Sequence, residues 1–181
     1  MWTWGSNKEG QLGYRLTSTE SGLGAPGCST PALVTALRRP DGAGCSVLQV
    51  CASRGASLAL LRPLHGHGIA TPSVRMSTEV YQWGHGSYTP SRVLCQHAVV
   101  SDLCAKDGPA WSRATASDCI TQIAAGDNHF VGISASTGFV YTWGLGAAQL
   151  GHGGREKAHA SRPQVVTQLL PEHGGKSVIL F

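Results

Sequence analysis

Charge is scarce in this 181-residue chain. Asp, Glu, Lys and Arg make up 13% of it, roughly half the usual share. The net charge of +4 comes without any basic run, the arginines being scattered from Arg38 and Arg39 through Arg54, Arg92 and Arg113 to Arg155. That pattern speaks for a solvated surface and against nucleic acid as a partner. Apolar runs of membrane-spanning length are absent. No secretory leader is expected, because the chain opens Met1-Trp2-Thr3-Trp4-Gly5. No Cys-x-x-Cys pair occurs among the six cysteines, so the usual zinc spacing is missing. These absences lead to the expectation of an intracellular protein, cytoplasmic or nuclear, without membrane association. Its thiols are expected to be reduced and packed as small core residues.

What the chain has in abundance is glycine, 24 residues in all. Glycine at every third position would indicate collagen, and that period is absent. Dispersed glycines instead indicate many tight turns and therefore many short strands. At 41% apolar residues, the chain can build a packed core.

The turns recur with a repeat. One copy reads Trp2-Thr3-Trp4-Gly5-Ser6-Asn7-Lys8-Glu9-Gly10-Gln11-Leu12-Gly13. Another reads Val140-Tyr141-Thr142-Trp143-Gly144-Leu145-Gly146-Ala147-Ala148-Gln149-Leu150-Gly151, and between them lies Val80-Tyr81-Gln82-Trp83-Gly84-His85-Gly86. Each begins with alternating bulky residues, a strand signature, and breaks at glycine into a turn. A proline and a β-branched residue follow: Pro31 with Val34, Pro90 with Val93, Pro163 with Val165 and Val166. A small-residue strand comes next, Val50-Cys51-Ala52-Ser53 in one copy and Ile123-Ala124-Ala125-Gly126 in the other. The latter continues Asp127-Asn128-His129-Phe130-Val131-Gly132-Ile133-Ser134. Several short strands per unit, with glycine turns and no helical period, describe an all-β blade.

This combination resembles the repeat of the regulator-of-chromosome-condensation family. The resemblance covers most of the chain and implies four-stranded blades arranged in a propeller. Its markers here are Trp4, Gly5, Gly13, Trp83, Gly84, Gly126, His129, Trp143, Gly144 and Gly151. The expected fold is thus all-β, a partial β-propeller of about two to three four-stranded blades rather than a closed ring. It forms a single unit over 1–181: repeat one over 1–79 with a loop insert at 62–79, repeat two over 80–139 with an insert at 98–118, and a truncated repeat three over 140–181. The middle copy lacks the Gln-Leu-Gly element, similar to propellers fused to ankyrin and BTB segments. The first blade departs from the pattern, with Ser53 where Gly126 stands and Ala56 where His129 stands. Trp4, Trp83, Trp143, Val131, Ile133 and Leu150 are expected in the core, the tryptophans as recurring apolar bodies with one N–H to satisfy.

Four tempting motifs fall away. Gly22-Leu23-Gly24-Ala25-Pro26-Gly27 matches G-x-G-x-x-G without the strand before it and the helix within it that a dinucleotide site needs. Gly174-Gly175-Lys176-Ser177 has Leu170 where a P-loop needs glycine. Cys95-Gln96-His97 with Cys104 and Cys119 is too irregularly spaced for a metal. His129 has no nucleophile or paired carboxylate beside it in sequence, so it reads as a structural histidine near a turn.

No catalytic, cofactor or metal site is therefore expected. The function implied is a non-catalytic, protein-binding scaffold. The alternative is guanine-nucleotide exchange on, or regulation of, a small GTPase by a longer parent propeller, as some family members perform. Exchange requires only that the protein disfavour the nucleotide-bound state.

Overall fold

The computed structural model describes residues 1–16, 27–37, 44–64, 78–93, 120–134, 137–153 and 159–170. Its strands are β1 (Trp2–Ser6), β2 (Gly27–Leu33), β3 (Cys45–Ala52), β4 (Ala56–Pro63), β5 (Glu79–Gly84), β6 (Ser87–Val93), β7 (Ile120–Ala125), β8 (His129–Ser134), β9 (Val140–Leu145) and β10 (His159–Val165). They form three antiparallel sheets. One is the pair β1-β2, and the others are four-stranded, in the orders β3-β4-β5-β6 and β10-β9-β8-β7. The fold is all-β and propeller-like, and among the described residues helix is confined to single turns such as α1 (Ala147–Leu150). No helix among the described residues is long and apolar enough to cross a membrane.

Two compact units divide the chain, Met1–Arg92 and Val93–Phe181. The sheets straddle the sequence repeats. In each four-stranded sheet, the small-residue strand and its partner come first, and the strand carrying Trp-Gly comes third. The loop inserts fall mostly outside the described residues. The first begins later than its sequence suggests, because Arg62 and Pro63 complete β4 and Glu79 opens β5.

The proline of each repeat sits on the outermost strand: Pro31 on β2, Pro90 on β6, Pro163 on β10. The position follows from chemistry, because proline donates no ladder hydrogen bond and belongs on an edge strand or a bulge. Two of the three outer strands bulge at the proline. β2 slips register against β1 between Thr3 and Gly5, and β10 slips against β9 between Ala160 and Gln164. Those two hairpins superpose residue for residue: Gly5↔Cys28 answers Gly144↔Ala160, and Thr3↔Ala32 answers Thr142↔Gln164.

In the first unit the core lies between the β1–β2 hairpin and one face of the four-stranded sheet. It comprises Val34, Leu37, Ala59, Leu61 and Trp83, with Met1, Cys45 and Tyr81 packed against it. In the second unit Phe130, Tyr141, Trp143, Leu150 and Ile123 are fully buried. The Phe130 and Trp143 rings stand 5.6 Å apart at a tilt of 37°, as the direct cross-strand pairing of these residues requires. Cys28 is buried, and Cys45 and Cys51 are partly so.

Two of the expected core residues are not fully buried. Val131 is half-buried. Trp4 is 62% exposed, against 2% for Trp83 and 1% for Trp143. Trp83 is covered by the Gln11–Gly13 turn that precedes its sheet and by Val34. Among the described residues no such turn meets Trp4, and β1 pairs with β2 alone. The neighbour that would cover Trp4 is not among the described strands.

Candidate interaction surface

The repeat markers converge on tight turns. In the first unit the Trp4-Gly5 strand runs into a turn that is built locally. Asn7 is nearly buried and organises it. Its Oδ1 accepts from the Leu12 N–H at 3.0 Å, its Nδ2 donates to the Tyr14 carbonyl at 2.9 Å, and its own carbonyl accepts from the Gly10 N–H at 3.1 Å. Thr3 Oγ1 donates to the Leu12 carbonyl at 2.7 Å. The second unit repeats that bond from Thr142 to Leu150 at 2.6 Å. The sequence hint for Asn7 was an Asn opening a Gly-containing turn, a residue that bonds backbone two or more positions on.

This turn docks onto the next sheet. The Gln11 carbonyl accepts both the Trp83 indole N–H at 2.6 Å and the Ser57 hydroxyl at 2.9 Å, using both of its lone pairs. Gly13 lies beneath the indole, so a Cβ there would come within 3.1 Å of Trp83 Nε1 and of Val34. The buried Trp-Gly of one blade is thereby keyed into the Gln-Leu-Gly turn of the blade before it.

In the middle copy, His85 and Gly86 alone join β5 to β6, and both have positive φ, 49° and 89°. Positive φ at both central residues is the requirement of the type I′ hairpin turn. The missing Gln-Leu-Gly element is thus a two-residue hairpin. The Gly86 N–H donates to the Glu9 carbonyl and the His85 N–H to the Gly55 carbonyl, each at 2.8 Å. Gln11 Nε2 lies 3.5 Å from the Arg54 carbonyl. Three turns, at Lys8–Gln11, Ser53–Gly55 and His85–Gly86, are therefore gathered at one end of the first unit. Lys8, Glu9, Arg54 and His85 are exposed there. Nearby, the Arg15 guanidinium lies 5.0 Å from the Tyr88 ring centre, a cation–π distance.

His129, His152 and Glu79 have structural neighbours. His129 folds its ring over Gly126, where a Cβ would collide with Cε1. In the first blade the same corner is closed differently: the Ala56 N–H donates to Ser53 Oγ at 3.0 Å. Ser53/Ala56 and Gly126/His129 are two solutions to one turn, which accounts for the loss of both markers together. Both turns keep the same backbone bond, Ser53 to Ala56 at 2.8 Å and Gly126 to His129 at 2.9 Å. His152 Nε2 lies 3.0 Å from Thr142 Oγ1. Glu79 pairs with Arg92 at 3.5 Å and accepts from the Tyr81 hydroxyl at 3.3 Å. Among the described residues no three His, Cys, Asp or Glu side chains cluster as metal ligands would. The Cys95, His97, Cys104 and Cys119 set and the glycine motifs at 22–26 and 174–177 lie outside those residues.

The Trp-Gly glycines share one conformation, with φ of 105° at Gly5, 100° at Gly84 and 106° at Gly144. Gly13 and Gly151 are also left-handed, at 80° and 71°, whereas Gly126 is not.

Comparison with known proteins agrees with this geometry. Residues 1–60 match the family model of the regulator of chromosome condensation (RCC1) repeat. No curated protein matches the sequence. Among solved structures, a chain of the crystal structure of Kap60 bound to yeast RCC1 (Prp20) is similar in fold, with a TM-score of 0.52 at 18% identity. The match covers 92% of this chain and 32% of that one. The present chain therefore spans about a third of the length of that neighbour. Its first 60 residues match the RCC1 repeat, and its fold is similar to that of the RCC1 chain, a partial propeller.

Proposed function

We propose that this chain is a non-catalytic protein-interaction scaffold, intracellular, without a cofactor, that engages its partner through the gathered turns of the first unit. The observation that carries this reading is the fixing of those turns. Lys8, Glu9, Arg54 and His85 are held in one patch by backbone hydrogen bonds among three loops. Rigid loops on a β frame lose little conformational freedom on binding, and so suit recognition. His129, His152 and Glu79 are engaged with glycine, hydroxyl or arginine neighbours, an arrangement that supports structure rather than chemistry.

Regulation of a small GTPase is the second reading, supported by the family model alone. The two separate in one experiment. Partners cross-linked to the chain in cell extract are purified and the complex is reconstituted. In parallel, release of fluorescent GDP from small GTPases is followed with and without the chain. The scaffold reading expects a stoichiometric reconstituted complex, weakened by Lys8→Glu with Arg54→Glu, and unchanged GDP release. Faster GDP release would replace it with the exchange reading. Failure of every candidate complex to reconstitute would overturn it.

A further inference from the structure

We infer that the gathered turns of the first unit take an acidic peptide segment, its carboxylates held by Lys8 and Arg54. The inference rests on the turn-face reading and gives that face's partner its chemistry.

The first ground is the supply of hydrogen-bonding groups. Carbonyls that build the three turns are consumed within the chain. Asn7 accepts from the Gly10 N–H, Gly10 from the Gly13 N–H, Glu9 from the Gly86 N–H and Gly55 from the His85 N–H. Gln11 accepts from Trp83 and Ser57, and Arg54 from the Gln11 side chain. What the exposed tips add is mostly donors. Lysine brings three N–H donors and arginine five, and neither brings an acceptor. A surface of that kind is complemented by an acceptor-rich, anionic partner, and a carboxylate meets a guanidinium in a two-bonded fork.

The second ground is charge. Lys8, Arg54 and His85 are exposed, with Glu9 as the acidic residue among them. Among the described residues neither Lys8 nor Arg54 has a carboxylate within ion-pairing distance, and the pair of Glu79 with Arg92 lies at the other end of the β5–β6 hairpin. Glu9 is directed elsewhere: a Cβ on Gly55 would lie 3.4 Å from Glu9 Cγ and 3.0 Å from His85 Nδ1, so those two side chains converge over Gly55. Glu9 also sets the class of partner. A nucleic acid carries a phosphate at every step and would bring one against it, whereas a peptide can set an uncharged residue there. Unpaired cations on a fixed frame steer and orient such a segment.

The third ground is the second unit. Ser53–Ala56 and Gly126–His129 close the same corner with the same backbone bond, at 2.8 Å and 2.9 Å. The tip residue is Arg54 in one and Asp127 in the other, both exposed. After Trp143-Gly144 the second unit carries Leu145, Gly146, Ala147 and Ala148, with no charge where the first has Lys8 and Glu9. The corner thus takes either charge on one backbone frame. The sign at its tip is left free to serve recognition, and in the first unit it is positive.

The test follows the fluorescence anisotropy of a labelled octapeptide of alternating glutamate and serine with the full chain. The peptide should bind at low ionic strength and weaken as salt rises. Arg54→Asp should lower its affinity about tenfold and Lys8→Ala about threefold. Each replacement puts at the tip the kind of residue the second unit carries, so the Tm should stay within about 2 °C of the parent's. Arg162 is exposed on β10 of the second unit. Arg162→Asp changes the net charge as Arg54→Asp does, and should leave the affinity within about twofold. Absence of binding at low salt, or equal losses for Arg54→Asp and Arg162→Asp, would overturn the inference. So would tighter binding of a DNA oligonucleotide of equal charge, which would give the face to nucleic acid. A reconstituted partner complex that Lys8→Glu with Arg54→Glu weakens, while the peptide does not bind, would overturn this inference alone and leave the turn-face reading standing.

Discussion

Trp4 and Trp143 occupy the same position of the same strand, each followed by a glycine of the same φ, each opposite an outer strand with the same bulge. One is exposed and the other is sealed against Phe130. The difference lies in what surrounds each strand. Among the described strands β9 has β8 beside it and β1 has β2 alone, and Trp83, the third member of the set, is closed off by the Gln11–Gly13 turn before its blade. Burial in a repeat is therefore a property of the neighbour as much as of the motif.

Truncating the three tryptophans tests that lesson most severely. Trp143→Ala and Trp83→Ala should each cost about 3–5 kcal/mol, the range for an emptied aromatic core site. Trp4→Ala should stay within about 0.5 kcal/mol, as exposed positions do. Urea unfolding of the three variants measures this, and a Trp4 cost equal to the others would erase the contrast.

The glycines come next. Gly84→Val and Gly144→Val meet both an unfavourable φ and a backbone carbonyl, whereas Gly5→Val meets only the φ. The first two should lose more than about 2 kcal/mol and Gly5→Val about 1–2 kcal/mol, the usual left-handed penalty. Equal losses at all three would show that the carbonyl contacts carry no weight.

A smaller effect separates the two turn designs. Gly126→Ser alone should cost roughly 1–3 kcal/mol by crowding His129. Adding His129→Ala should recover much of it, because the pair then reproduces Ser53 and Ala56. A double-mutant cycle measures the coupling, and simple additivity would show that the two corners are not alternatives.

The slightest effect concerns Cys51. Burial pushes its thiol above the ordinary range. The native state thus holds the proton while the unfolded chain releases it. The contribution is constant below the unfolded pKa, and stability falls as pH rises past that value toward the folded one. Iodoacetamide should modify Cys51 more slowly in the native chain than in urea at the same alkaline pH. Equal rates would show that the site is open.

Much of this was legible in the sequence because it is local. Alternation before Trp-Gly placed β1, β5 and β9, and the small-residue stretches placed β3 and β7, since both rules act within a few residues. Three things were not legible. The two-residue hairpin at His85–Gly86 looked like a clipped motif, because only its φ angles reveal a complete turn. Ser53 and Ala56 looked like two lost markers, because their mutual bond is invisible to a position-by-position reading. The exposure of Trp4 depended on neighbours outside its own strand, which the motif does not encode.

The bond from Trp83 to Gln11 spans 72 positions. At about 5–20 residues per second, a ribosome needs roughly 4–14 s to deliver the indole after the carbonyl that receives it. During that interval the turn over Gly13 must hold its shape unaided. Asn7 supplies that hold, because all of its bonds reach residues within seven positions and are complete as soon as Tyr14 has emerged. The receiving half of this contact is thus finished early in synthesis, and the tryptophan arrives at a socket already formed.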